Sequence, residues 1–149
     1  MKKVLMVTGS RAWKRELESD YNQISRGLVI ELKNLIDAGA TEVELWHGAA
    51  KGADAMSEEF FNKIERSVRE RMGVIIKVKA FPPDFNKYGS PAAYHMRNQQ
   101  MVDGKPDVLV AFPRAGEANK GTLSTIKRAR DAGIRVEVYG ARELDIRRA

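Results

Sequence analysis

Strand-like and helix-like segments alternate along the whole chain, and this alternation limits the possible folds more than any other feature of the sequence. The strand-like segments are short runs of aliphatic and β-branched residues, whereas the helix-like segments carry apolar residues at spacings of three and four. The predicted strands are Lys3 to Thr8, Val43 to Trp46, Val74 to Ala80, Asp107 to Phe112 and Ile134 to Tyr139. The predicted helices are Tyr21 to Asp37, Ala53 to Arg71, Ala92 to Val102 and Gly121 to Asp131. Such alternation is typical of an α/β, Rossmann-like doubly wound fold, here with a mostly parallel sheet of about five strands and helices on both faces.

The length and composition favour one cytoplasmic domain. The 149 residues suit a single domain over residues 1–149, because domains commonly contain roughly 100 to 200 residues. No apolar run approaches the roughly 20 residues that span a bilayer, so we expect no membrane association. The chain has no cysteine, which excludes disulfides and thiolate chemistry. Its net charge of +6 attracts anions, although part of that charge falls in a basic tail at about residues 141–149, with Arg142, Arg147 and Arg148.

Glycine and cationic residues follow three of the predicted strands, in the segments Thr8-Gly9-Ser10-Arg11, Gly48 to Asp54 and Lys120-Gly121-Thr122. Ligands of open parallel sheets bind beyond the carboxyl ends of the strands, where helix N-termini present unpaired N–H groups. Glycine lets such amides approach an anion closely. The sequence therefore predicts a phosphate-binding site, with residues 48–54 as its main loop. The predicted ligand-binding residues are Gly9, Ser10, Arg11, Gly48, Ala49, Lys51, Gly52, Asp54, Arg97, Asn98, Lys120, Gly121 and Thr122.

Each of these residues also has a purely structural interpretation. The glycines can serve only tight turns and close helix packing, an arginine can form a surface ion pair, and Asp54 can cap a helix. Two aromatic residues near the predicted loops, Trp13 and Tyr88, are expected to stack on a base or else to form a half-buried lid. The sequence leaves these alternatives open.

Several common kinds of site are not predicted. No Gly-x-Gly-x-x-Gly motif follows the first strand, and residues 48–54 lack the Gly-Lys-Ser/Thr ending of a P-loop. The two histidines, His47 and His95, have no group of carboxylates beside them at ligand spacing. We therefore expect neither a metal ion nor a cofactor.

Four motifs in this order resemble the SLOG superfamily, the Rossmann-like group that contains the DNA-processing protein DprA (Smf) and the Lonely Guy enzymes. The motifs are Gly9-Ser10-Arg11, Gly48 to Asp54, the helix segment Tyr94 to Met101 with its Arg-Asn pair, and Lys120-Gly121-Thr122. Their order is most similar to the YspA/YpsA-related branch of bacteria and phages, and the resemblance spans roughly Val4 to Val138. It implies a pocket for a nucleotide derivative, and often a homodimer.

The resemblance to the Lonely Guy enzymes is incomplete at the position of one catalytic residue. Those enzymes are phosphoribohydrolases of nucleoside monophosphates that use an arginine, which matches Arg97, and a glutamate that follows a glycine loop. In this sequence Gly121 and Thr122 match the end of that loop, but Ser124 stands where the glutamate is expected. A serine hydroxyl without a neighbouring base is poorly suited to stabilise a ribosyl cation or to activate water.

Three functions follow from these residues. The first is binding of a nucleotide or nucleotide-derived phosphate ligand by a sensor or sequestering module. The second is hydrolysis of nucleoside monophosphates, with Arg97, Asp54 and Glu117 as the candidate catalytic residues, so whether the protein is an enzyme stays open. The third, suggested by the net charge, is DNA binding in the manner of DprA. A homo-oligomer is also expected, because the helices after Pro91 and Lys120 have thin apolar faces that a second copy could cover.

Overall fold

Five parallel strands form the centre of the computed structural model, which describes residues 1–140. The strands are β1 (Lys2–Gly9), β2 (Glu42–His47), β3 (Ile75–Ala80), β4 (Val108–Phe112) and β5 (Arg135–Val138). The helices are α1 (Glu18–Asp37), α2 (Ala53–Met72), α3 (Phe85–Tyr88), α4 (Ala92–Asp103) and α5 (Lys120–Asp131). The order of strands across the sheet is β3-β2-β1-β4-β5, and every neighbouring pair is parallel. The predicted α/β, Rossmann-like doubly wound fold is confirmed, and the predicted basic tail at 141–149 lies outside the described residues.

The two faces of the sheet bury different helices because successive side chains of a strand point to opposite sides. On one face Leu5 and Val7 of β1 belong to an apolar cluster with α1 and α2. On the other face Met6 of β1 packs with Met101 of α4 and Ile126 of α5. The central strands β1 and β4 are therefore covered on both sides, which explains why their sequences are almost continuously apolar.

The strand order reverses between β1 and β4. The chain builds β1, β2 and β3 outward in one direction and then returns to place β4 on the other side of β1. In open α/β sheets a crevice forms at such a point, because the loops that follow the two strands diverge to opposite faces. The fold thus fixes where a ligand site is expected, independently of any side chain.

Helix α4 differs from an ordinary sheet-covering helix, as its thin apolar stripe indicates. Its buried residues are Ala93, Met101 and Val102 together with a charged residue, Arg97. The short helix α3 lies in a segment for which the sequence predicts only a loop. Within residues 1–140 no helix is both long and apolar enough to cross a membrane.

Candidate functional site

A crevice of about 620 Å³ opens at the carboxyl ends of β1 and β4, where the strand order reverses. Its volume lies within the roughly 300 to 1,000 Å³ of small-molecule sites. The walls come from the loop after β1, the loop before α2, the first turns of α4, and the loop that leads into α5. The predicted site residues that line it are Gly9, Ser10, Arg11, Lys51, Asp54, Arg97, Asn98, Glu117, Lys120, Gly121 and Thr122.

Four cationic side chains line the crevice: Arg11, Lys51, Arg97 and Lys120. Within residues 1–140 the cations Arg11, Lys51 and Lys120 form no ion pair with a carboxylate. The nearby Arg114, by contrast, pairs with a buried aspartate at 3.2 Å. The crevice is also lined by two carboxylates, but Asp54 accepts hydrogen bonds from loop amides and Glu117 lies beside Arg114. Four cations on one concave surface outnumber them, and an excess of positive charge favours an anionic ligand.

Arg97 joins α4 to the loop before α2. Its side chain is only 8% exposed, its guanidinium donates a hydrogen bond to the Gly48 carbonyl oxygen, and its Nε donates to Asn98 Oδ1 at 2.7 Å. Burial lowers the pKa of Arg97, the Asp54 carboxylate acts in the opposite direction, and the nearby Arg11 lowers it further. An added Cβ at Gly48 would lie 2.5 Å from Arg97 Nη1, so glycine at this position permits the close approach of the guanidinium.

The loop at residues 48–50 is closed by side chains of its own neighbourhood. Oδ2 of the buried Asp54 accepts hydrogen bonds from the amides of Gly48 at 3.0 Å and Ala50 at 3.3 Å. The amide of Ala49 donates to His47 Nδ1 at 3.0 Å. These three amides therefore have acceptors within the protein, which corrects the predicted role of Gly48 and Ala49 as phosphate ligands. Among the predicted ligand-binding residues of this loop, Lys51 lines both the crevice and a second, neighbouring pocket that is described below.

The glycines of the predicted site divide into two groups. Gly52 has φ +77°, and an added Cβ would lie 2.5 Å from the carbonyl oxygen of Ser10. At Gly9 an added Cβ would lie 2.5 Å from Ala53 Cβ. Tight turns and close packing, the structural alternative, therefore account for both. Gly121 is different, because it lines the crevice and no atom lies within 4 Å of the position that its Cβ would take.

The N-terminus of α5 faces the crevice without a side-chain cap. Its N-cap residue, Asn119, has a left-handed backbone (φ 55°), and its side chain bonds to the backbone of Arg114 and Glu117 instead of to the helix. The amides of a first helical turn have no acceptor within the helix and carry the positive end of the helix dipole. Lys120, Gly121 and Thr122 occupy this turn, so the arrangement suits a phosphate.

The prediction that Trp13 stacks on a base is wrong. Its side chain is 5% exposed, belongs to the core cluster under α1 and α2, and donates its indole N–H to the Phe112 carbonyl oxygen at 2.7 Å. A large aromatic ring near the end of a strand is stabilised by burial when its one polar group finds an acceptor. Tyr88 is exposed, but it lines a separate depression against α4 and not the crevice.

The three candidate catalytic residues all line the crevice, but two carboxylates already have partners. Asp54 holds the 48–50 loop, and the carboxylate of Glu117 lies 3.9 Å from the guanidinium of Arg114. Ser124, at the position where the resemblance implies a glutamate, is half-buried on α5 and does not line the crevice. Within residues 1–140 no three His, Asp or Glu side chains are grouped closely enough to hold a metal ion.

The charge of Asp54 is expected to influence folding in a pH-dependent way. Burial raises the pKa of Asp54 above its ordinary 3.8, while His47, the Ala50 amide, Arg97 and the Gly48 amide lower it in part. Because the pKa is raised in the folded state, the protonated carboxyl group stabilises the folded protein. This stabilisation is fully present below the unfolded-state pKa and is lost as the pH rises through the folded-state pKa.

Replacing this carboxyl group by an amide tests that dependence. In Asp54→Asn one oxygen can still accept from both loop amides, but the titration is removed. The unfolding free energy of the wild-type protein relative to the variant is expected to decrease as the pH rises from below 3.8 towards neutrality. Urea denaturation of both proteins over this pH range measures the two unfolding free energies. If their difference stays constant with pH, burial does not raise the pKa of Asp54.

The fold and the crevice together define an α/β protein with a cation-lined site at the switch point of a parallel sheet. Comparison of the chain with models of protein families and with curated protein sequences finds no match.

Proposed function

We propose that this protein binds a nucleotide or nucleotide-derived phosphate ligand in the crevice, as a sensor or sequestering module. The observation that carries the proposal is the convergence of cations without carboxylate partners, Arg11, Lys51 and Lys120, on the uncapped N-terminus of α5. In this arrangement the phosphate accepts hydrogen bonds from the first-turn amides of α5, and the cations neutralise its charge. The buried Arg97 adds a fixed positive charge at the crevice wall.

We also propose that the chain is a member of the SLOG superfamily. Support comes from the motif order, the parallel α/β sheet, and the fact that parts of all four motifs line one crevice. Self-association, DNA binding and a cytoplasmic location stay predictions from the sequence.

Gly121→Ala tests the phosphate position, because its two expected effects have opposite signs. Alanine is preferred over glycine in a helix, and open space surrounds the added methyl, so the free energy of unfolding is expected to rise by about 0.5 kcal/mol. The same methyl keeps a phosphate away from the first-turn amides, so the affinity for ribose 5-phosphate is expected to fall about tenfold. Urea denaturation and titration calorimetry measure the two effects.

Ser124→Ala is the matched control, since Ser124 lies on the same helix but not in the crevice. It is expected to bind ribose 5-phosphate like the wild-type protein. If Gly121→Ala binds with unchanged affinity, the phosphate does not lie at this helix N-terminus. If the wild-type protein binds neither ribose 5-phosphate nor AMP, the proposed function itself fails.

Hydrolysis of nucleoside monophosphates is the second candidate, and one observation favours it. Asp54 is a buried carboxyl group of raised pKa that lines the crevice beside Arg97, and shifted carboxyl groups of this kind can act as general acids. Incubation of the pure protein with AMP, followed by detection of free adenine, distinguishes the two functions. Hydrolysis would be established if the wild-type protein releases adenine and Asp54→Asn does not. If the wild-type protein releases no adenine even at high protein concentration, hydrolysis is excluded.

A further inference from the structure

A second pocket adjoins the crevice on the side of the loop between β3 and α4. It has a volume of about 360 Å³ and lies against the start of α3. The two pockets are neighbours that share a side, because Arg11, Ala50, Lys51, Tyr94 and Arg97 line both. We call the second one the aromatic pocket.

The outer wall of the aromatic pocket is apolar and ring-bearing. Pro82, Pro83 and Phe85 contribute to it, and none of these residues lines the crevice. Phe85 is the first residue of α3, and its side chain is 48% exposed, which is a large exposure for an aromatic residue on a folded domain. Its ring packs edge-to-face against Tyr94, with centroids 5.2 Å apart and an angle of 79° between the planes. The contact fixes the Phe85 ring at the pocket while half of its surface stays accessible.

Cations lie along the boundary between the two pockets. The guanidinium carbon of Arg11 is 4.8 Å from the centroid of the Tyr94 ring, and that of Arg97 is 5.6 Å from it. Guanidinium groups attract phosphate and also stack on planar rings. The boundary therefore suits a ligand with a negative charge on one side and a flat aromatic group on the other.

We propose that the aromatic pocket binds the base of the nucleotide whose phosphate lies in the crevice, with Phe85 as the stacking surface. This inference rests on the proposed function and makes it more specific, because it requires a ligand that carries an aromatic base and not only a sugar phosphate. Phe85, supported by its contact with Tyr94, then takes the stacking role that the sequence assigns to Trp13 and Tyr88. Stacking on a phenyl ring tolerates different bases, since every base has a π face.

Comparing AMP with ribose 5-phosphate tests the aromatic pocket separately from the phosphate site. Removing a stacking ring in Phe85→Ala is expected to weaken AMP binding about tenfold, equivalent to about 1.4 kcal/mol, and to leave ribose 5-phosphate binding unchanged. Phe85→Trp offers a larger ring and is expected to bind AMP at least as tightly as the wild-type protein. Titration calorimetry of both ligands against each protein gives these affinities.

Tyr88→Ala is the matched control, because Tyr88 is an exposed aromatic residue of the same short helix outside the aromatic pocket. It is expected to leave both affinities unchanged. The inference is overturned if Phe85→Ala weakens the binding of both ligands equally or of neither. It is also overturned if Tyr88→Ala weakens AMP binding as much as Phe85→Ala does. If the wild-type protein binds ribose 5-phosphate as tightly as AMP, the phosphate site stands and the base subsite is wrong. If it binds neither, the proposed function fails and this inference with it.

Discussion

Replacing Gly52 by alanine is expected to lower the free energy of unfolding by about 4 kcal/mol. The N-cap of α2 at this position has φ +77° and ψ −126°, a backbone conformation that residues other than glycine rarely adopt. The added methyl would also lie 2.5 Å from the Ser10 carbonyl oxygen and 2.7 Å from Arg11 Cα. Both are backbone atoms and cannot move aside as a flexible side chain would, so strain adds to the conformational cost. Urea denaturation measures the loss, which is a large part of the stability of about 5 to 15 kcal/mol of an ordinary domain.

The opposite end of α2 offers a matched control. Gly73 also has a positive φ of 68°, but no atom lies within 4 Å of the position of its Cβ. Gly73→Ala is therefore expected to cost only the conformational part, about 1 kcal/mol. Equal losses in the two variants would mean that the β1–α1 loop does not approach α2 as closely as the structure indicates.

Replacing Arg11 by alanine is expected to weaken the binding of ribose 5-phosphate about 30-fold. Hydrogen bonds to charged groups contribute about 1.5 to 3 kcal/mol. Within residues 1–140 Arg11 forms no ion pair with a carboxylate, so its guanidinium does not have to give up such a pair to bind phosphate. We expect little accompanying loss of stability, because Arg11 is exposed and the like charge of Arg97 opposes its contact with the Tyr94 ring. Titration calorimetry at two salt concentrations measures the change, and the remaining affinity of the variant is expected to depend less on salt.

Arg15→Ala controls for the general effect of removing a positive charge from the β1–α1 loop. Arg15, like Arg11, lies over a tyrosine ring, in this case Tyr21 at 4.2 Å, but it is paired with Glu59 and does not line the crevice. We expect this variant to bind ribose 5-phosphate like the wild-type protein. If both variants lose affinity to the same extent, the effect reflects the net charge of the protein and not a site.

The fold could be predicted from the sequence because its determinants are local and periodic. The long helices α1 and α2 have strong apolar stripes, and the strands β1 and β4 are short apolar runs next to glycine or proline. Helix α3 was not predicted, because four residues are too few to establish a helical period.

The site was predicted in part, and the limits have physical reasons. Strand ends followed by glycine and arginine indicate a location, and Arg11, Arg97 and Gly121 do line one crevice, although their roles as ligand-binding residues stay predictions. The sequence does not reveal which amides already have acceptors, because Asp54 reaches Gly48 only once the loop has folded. Burial of Trp13 likewise depends on a hydrogen bond to Phe112, 99 positions away. Asn119 was missed, although asparagine is one of the few residues that readily adopt a left-handed backbone.

The central position of β1 has a consequence for synthesis of the protein. This strand is made first, and β2 pairs with one of its edges, but its other edge is completed only by β4, whose residues Val108–Phe112 are made much later. A nascent chain that has emerged only as far as β3 therefore exposes an unpaired, strongly apolar strand edge, which is a template for aggregation. Because the first turn of α5 follows β4, such a chain also cannot gain stability from the phosphate ligand that we propose. The edge is therefore protected once β4 has emerged, at residue 112, whereas the site at the first turn of α5 is complete only after residue 122 has emerged.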